Sequence, residues 1–235
     1  MKKMIIASTS TVHGKGYLEY MLPELSIFFK GIEEIVFIPY ARPGGIDYDE
    51  YTAIVKKAFS SIHINVKGIH EFKSSIDAIK KAQGIFTGGG NTFELVTKLH
   101  ANNLMSLIKE VVEGGTLYFG TSAGSNIAGV SIKTTNDMPI VYPPSFDALN
   151  LINFNINPHY LDPEPNSKHM GETRETRIRE FHKFNEIAVL GLREGSWLEV
   201  VNTTVILRGT LEARLFETNQ GPRELPTNSD LSFLM

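Results

Sequence analysis

Cysteine is absent from the 235 residues. That excludes a disulfide framework, a thiolate nucleophile and a Cys-ligated zinc, and it accords with a reducing compartment. An excess of charge of either sign is missing too. Lys and Arg number 23 against 26 Asp and Glu, a net charge of −3, so neither a nucleic acid nor a membrane surface is the expected partner. Long hydrophobic runs are also lacking. Lys2 and Lys3 resemble the start of a secretory signal, but the apolar run behind them covers only residues 4–7, too short for its core. No stretch approaches the roughly 20 apolar residues of a membrane span. The expected location is the cytoplasm. What is present, 42% hydrophobic and 21% charged residues, is ordinary for a globular protein. With no repeat, linker or low-complexity tract, residues 1–235 are expected to form a single domain.

Short apolar runs alternate with longer amphipathic ones. Residues 4–8, 34–39, 64–68, 84–87 and 116–120 read as strands. Residues 17–29, 48–60, 74–82 and 92–112 read as helices between them. Strand–helix alternation implies a mostly parallel sheet covered by helices on both faces, with its site at the carboxyl ends of the strands. The second half is less regular. It offers a short helix at 122–128, a long ordered loop at 134–150, a strand at 154–157, a charged helix at 172–184, a strand at 187–192 and a β-hairpin over 197–207 turning at Asn202-Thr203. The tail from Gly221 reads as an edge appendage.

Gly120-Thr121-Ser122-Ala123-Gly124 stands directly after an apolar strand and before a helical stretch. This is the G-x-S-x-G pattern of a nucleophile elbow, in which small residues on both sides of the serine let strand and helix approach closely. The serine hydroxyl then projects at a helix start, where the next backbone N–H can meet an oxyanion. A serine-capped glycine turn with no chemistry is the plain reading of the same residues. Gly88-Gly89-Gly90-Asn91 closes the preceding strand. Consecutive glycines aim backbone N–H groups into one small volume. The loop lacks the lysine of a P-loop and the spacing of a dinucleotide site, which makes a nucleotide-binding role a weak rival.

A serine nucleophile needs a base. Of the seven histidines, His63, His70 and His100 read as surface or capping residues and His182 as a solvated helix residue. His13 follows the first strand. His159 leaves a strand at its carboxyl end, after Asn157-Pro158, and is the favoured base, with His169 as competitor. Two carboxylates stand where they can orient an imidazole: Asp137 in a polar loop and Glu194 straight after a strand. The residue pattern leaves that choice open.

Taken together, the Gly88–Phe93 block, the elbow, Thr134-Thr135-Asn136-Asp137-Met138-Pro139, Asn157-Pro158-His159 and Gly171-Glu172-Thr173-Arg174-Glu175 resemble the peptidase E family, aspartyl dipeptidases that hydrolyse dipeptides with an N-terminal aspartate. The likeness runs through nearly the whole chain and weakens at the tail. It implies an α/β three-layer sandwich similar to class I glutamine amidotransferases (flavodoxin-like), with a mostly parallel central sheet and a C-terminal β-hairpin. It puts the nucleophile on Ser122, the histidine on His159, an essential aspartate on Asp137 and the proposed third triad member on Glu194. Oxyanion N–H groups are expected from Gly89 or Gly90 and from Ala123. The resemblance implies no metal or other cofactor.

A substrate that begins with Asp carries a carboxylate, best met in a dry pocket by arginine. Arg174 and Arg177 are three apart on one helix and, with Asn91, are the candidate substrate-binding residues. The expected partner is an Asp-X dipeptide, with neither nucleic acid nor membrane, on a monomer or homodimer. The alternatives are a cyanophycinase-like β-aspartyl serine peptidase and an inactive amidotransferase-like binding module.

Overall fold

The apolar residues of β1 (Lys3–Ala7) alternate in direction. Met4 and Ile6 enter one buried cluster, Ile5 and Ala7 another. The same division recurs in β2 (Glu34–Ile38), β4 (Gly84–Thr87) and β5 (Leu117–Thr121). Side chains of a strand point to opposite faces in turn, so a sheet apolar on both faces must be covered twice. These strands and β3 (Asn65–Gly68) are the parallel part of a seven-stranded sheet ordered β3-β2-β4-β5-β1-β8-β9. An antiparallel hairpin, β8 (Ser196–Val201) and β9 (Thr204–Gly209), completes it beside β1. The computed structural model describes residues 1–163, 168 and 170–235.

On one face lie α1 (Leu22–Phe28) and α2 (Tyr48–Ser60), around a stack that includes Phe37, Phe86 and Phe119. On the other lie α3 (Ser75–Lys81), α4 (Thr92–Ala101) and α5 (Met105–Gly114). The expected helix over 92–112 is two helices. Asn103 adopts φ 55° between them, and the Asn102 side-chain amide donates to the Lys98 carbonyl at 2.8 Å. Asparagine tolerates the left-handed conformation that breaks a helix.

The hairpin expected over 197–207 is present, with Val201 opposite Thr204 and Asn202 at φ 54°. A second sheet was not foreseen. β6 (Asn155–Pro158), β7 (Val189–Leu192), β10 (Ala213–Phe216) and β11 (Arg223–Leu225) form it in the order β11-β10-β7-β6. Its residues Ile156, Leu190, Leu192, Ala213 and Leu215 join the same buried cluster as Met4 and Ile6, so it extends the layer of α3–α5. α6 (Ala123–Asn126) follows β5, and α7 (Arg174–Phe181) precedes β7. Among the described residues no helix is long and apolar enough to cross a membrane.

Candidate active site

The chain reverses at Ser122 with φ 53° and ψ −111°, a conformation that costs a non-glycine residue on the order of 1–3 kcal/mol. The surroundings hold it there. The Ser122 N–H donates to Ala7 O at 3.2 Å. The Ser125 hydroxyl lies 2.6 Å from Ala7 O and 2.8 Å from Gly120 O, and Tyr118 donates to Gly124 O at 2.6 Å. A β-carbon at Gly120 would meet the Gly124 backbone, and one at Gly124 the Thr87 backbone. The glycines of G-x-S-x-G are therefore required by the contact of α6 with β4 and β5.

His159 and Glu194 arrive from the second sheet. β6 and β7 are parallel, with Pro158 opposite Leu192. Their carboxyl ends are thus adjacent, and the residues just beyond them meet. His159 Nδ1 lies 2.7 Å from Glu194 Oε1, and His159 Nε2 lies 2.9 Å from Ser122 Oγ. Serine, imidazole and carboxylate form one hydrogen-bonded chain. His159 also has a positive φ, 51°. Its backbone N–H donates to Ser8 Oγ at 2.9 Å, and the Ser8 hydroxyl donates to Leu192 O at 2.7 Å. Ser8, fully buried at the end of β1, fastens both arms to the central sheet. Arg193 braces the neighbouring turn. Its guanidinium donates to Asp162, to Glu224 and to the Glu212 carbonyl, and the hydrogen bonds it gives to Asp162 and Glu224 hold its pKa well above the ordinary value.

Asp137 stands elsewhere in the site. Its Oδ2 accepts from Thr92 N at 2.7 Å and from the Thr135 hydroxyl at 3.1 Å, so it ties the 134–139 loop to the start of α4. The nearby Asn136 amide donates to Pro158 O at 2.8 Å, and its oxygen accepts from Asn157. Asn91 is already engaged at both ends of its side chain, accepting from Glu94 N and donating to Met138 O.

In the glycine loop, Gly89 N–H donates to the Tyr51 hydroxyl at 3.0 Å. Gly88 N–H donates to Ile38 O and Asn91 N–H to Ala41 O. Gly90, at φ 144°, has no acceptor for its N–H among the described residues, and neither has Ala123. A β-carbon at Gly89 would lie 2.9 Å from Ser122 Cβ, so the loop abuts Ser122.

Arg174 reaches toward the same place from α7. Burial lowers its pKa and the Arg177 charge adds to that, while the charges of Asp137 and Glu194 pull it upward. Its buried Nη1 has no partner among the described residues. It lines a cleft of about 50 Å³ with Thr135, Asn136, Asn157 and Arg177. Arg177 is largely exposed and stands 3.9 Å from Glu172. Arg179 pairs with Glu175 along the helix at 2.6 Å.

The other histidines among the described residues stay outside this chain of groups. His70 pairs with Asp49 at 2.8 Å. His182, expected to be solvated, instead lies 3.1 Å from the Ile187 carbonyl. His169 lies outside the described residues. Among the described residues no group of three or more acidic or histidine side chains is arranged to hold a metal ion. The sequence reading missed Ser8, Arg193 and Tyr51. Ser8 carried a signal, a small hydroxyl at the carboxyl end of a buried strand; the other two carried none.

Residues 4–208 match the model of peptidase family S51. The chain is 47% identical over 232 residues to a Streptomyces coelicolor protein named peptidase E, covering 99% of this chain and 94% of that one. It is 46% identical over 237 residues to a Drosophila melanogaster protein named as a probable alpha-aspartyl dipeptidase, covering 100% and 98%. In fold it is similar to the crystal structure of a peptidase from an acI-B1 Actinobacterium, with a TM-score of 0.73, 14% identity, and 99% and 97% of the two chains covered. This chain belongs to peptidase family S51.

Proposed function

We propose that the protein is a serine-type dipeptidase that releases an N-terminal aspartate from Asp-X dipeptides through an acyl-enzyme on Ser122. The observation that carries the reading is the unbroken hydrogen-bonded chain Ser122–His159–Glu194. Ser122 Oγ attacks the peptide carbonyl while His159 Nε2 takes the hydroxyl proton. Glu194 holds the opposite ring N–H and stabilises the imidazolium that forms. The tetrahedral oxyanion meets the N–H groups of Ala123 and Gly90; Gly90 is preferred to Gly89 because the Gly89 N–H is already spent on Tyr51. His159 then returns the proton to the leaving amine, and water repeats the sequence on the aspartyl ester.

Arg174 receives the substrate's side-chain carboxylate. Its unpartnered Nη1 supports this, since a half-buried guanidinium gains most from a bidentate anion. With Glu194 committed to His159, Asp137 is the acid left for the substrate ammonium. Its Oδ1 has no hydrogen-bond partner among the described residues. Arg177 stands at the rim, and Asn91 positions the loop rather than the substrate.

The test is a dipeptide panel with a nucleophile variant. Wild type is expected to cleave Asp-Leu far faster than Asn-Leu or β-Asp-Arg. Ser122→Ala is expected to lose on the order of 10⁶ in kcat with its melting temperature kept. Equal cleavage of β-Asp-Arg would move the protein to the β-aspartyl peptidases, and an active Ser122→Ala would remove the nucleophile.

A further inference from the structure

The glycine loop carries a contact that the reaction above does not use. Tyr51 lies in the first turns of α2, whose start is fixed by a reciprocal pair of hydrogen bonds between Asp47 and Glu50. Its side chain is buried. Phe37 stands edge-on to it at 4.9 Å between centroids, and the Arg42 guanidinium lies 4.7 Å from its ring centre. Packed on these sides, the ring is restricted to one placement and delivers its hydroxyl to Gly89. The Gly89 N–H donates to the tyrosine oxygen at 3.0 Å. The tyrosine O–H donates to the Gly89 carbonyl at 3.3 Å. Tyr17 donates to the same oxygen at 3.5 Å, and burial pushes the Tyr17 pKa well up, so it remains a donor. With both acceptor directions of the Tyr51 oxygen occupied, its single proton is left for the Gly89 carbonyl.

That carbonyl belongs to the same peptide unit as the Gly90 N–H. In a trans peptide the two point in opposite directions, and the chain contains no cis peptide among the described residues. Holding the carbonyl against Tyr51 therefore turns the Gly90 N–H away from α2, in a loop whose adjoining Gly89 abuts Ser122, a β-carbon there lying 2.9 Å from Ser122 Cβ. The unit is flanked by glycine on both sides, so the loop's own sequence does not select this orientation over the flipped one. A flip would present a carbonyl oxygen where the oxyanion forms. We propose that Tyr51 is a positioning residue for this reaction: its hydroxyl locks the Gly89–Gly90 peptide with its N–H aimed at the oxyanion. The inference rests on the reading of Ser122 as nucleophile.

The experiment compares Tyr51→Phe with wild type, Ser122→Ala and Phe59→Leu, on Asp-Leu. Phe59 is a buried residue of the same helix, away from the loop, and controls for loosened packing. Tyr51→Phe is expected to lower kcat roughly 10–100-fold with KM within about twofold. Its affinity for the boronic-acid analogue of aspartate, whose adduct on Ser122 carries a tetrahedral oxygen, should fall by the same factor. Phe59→Leu should melt lower and keep its kcat. A wild-type kcat in Tyr51→Phe, a loss confined to KM, a boronate affinity that does not follow kcat, or an equal kcat loss in Phe59→Leu each overturns the inference. Should Tyr51→Phe fail to fold, Tyr17→Phe, which keeps the Tyr51 ring and hydroxyl, is expected to show a smaller kcat loss in the same sense, and an unchanged kcat there overturns it. If Ser122→Ala is inactive while Tyr51→Phe is unimpaired, only this inference fails. If wild type and Ser122→Ala behave alike, the nucleophile reading fails and takes it along.

Discussion

Ser122 is placed by its own chain neighbours, whereas His159 and Glu194 reach it from strands of a different sheet. The elbow uses a strand, a strained residue, a four-residue helix and two glycines, all within residues 117–126. His159 and Glu194 depend on the parallel pairing of β6 with β7 and on one hydroxyl, Ser8, that joins both strand ends to β1. The turn at Ser122 is built from adjacent residues and seated on the neighbouring strands β1 and β4, whereas His159 is held by a tie that spans two sheets. A local device tolerates change elsewhere in the chain; a distant one fails whenever any of its ties loosens.

The largest test of that contrast exchanges the two acids. Glu194→Gln is expected to lower kcat on the order of 10⁴ with little change in KM, because the imidazole loses its orienting charge. Asp137→Asn should act mainly on KM, and the reverse pattern in steady-state kinetics would swap their roles. Next comes the elbow. Gly124→Ala puts a β-carbon 2.8 Å from the Thr87 carbonyl carbon. The melt should report a loss of about 1–3 kcal/mol, and kcat should drop about 10²-fold as the nucleophile shifts.

Ser8→Ala probes the distant arm. Removing that hydroxyl leaves the His159 N–H without its partner, while the Leu192 carbonyl keeps only the Tyr160 N–H at 3.1 Å; the cost is about 1–3 kcal/mol, and kcat is expected to fall roughly tenfold as the imidazole drifts. A Ser8→Ala protein as active as wild type would show that the second sheet holds His159 without the tie.

The smallest effect is on acid stability. The Arg193 hydrogen bonds hold the Asp162 carboxyl below its ordinary 3.8. Burial works against the charged form of Glu224, but hydrogen bonds from Arg193 and Arg214 outweigh it and keep that pKa below 4.5. A carboxylate whose folded-state pKa is depressed adds stability that is full above its unfolded value and is lost as pH falls through the folded one. Urea midpoints are therefore expected to decline below about pH 4.5. Arg193→Met should flatten that decline, by no more than about 1 kcal/mol because the partners are partly solvated.

Much of the first half was legible along the chain. α2 spans the expected residues because a capping box starts it and its apolar spacing continues for three turns. β4 was legible because an apolar run ends at glycines. β10 was not, since Ala213–Phe216 alternates with arginine and reads as solvated until Arg214 is seen paired with Glu175 and Glu224. The choice between Asp137 and Glu194 was equally hidden, as both follow the grammar of a strand-end acid.

By itself the sequence determined the alternation of strands and helices and the elbow, and it marked Ser122 and His159 as candidates, because each follows from side-chain periodicity or from residues adjacent in the chain. Only the tertiary structure decided which carboxylate meets the imidazole, which loop amide remains free and which buried hydroxyls hold them. Those depend on contacts between residues far apart in the chain, such as Ser8 with His159 and Tyr51 with Gly89, and hydrogen bonds of that kind leave no period in the sequence.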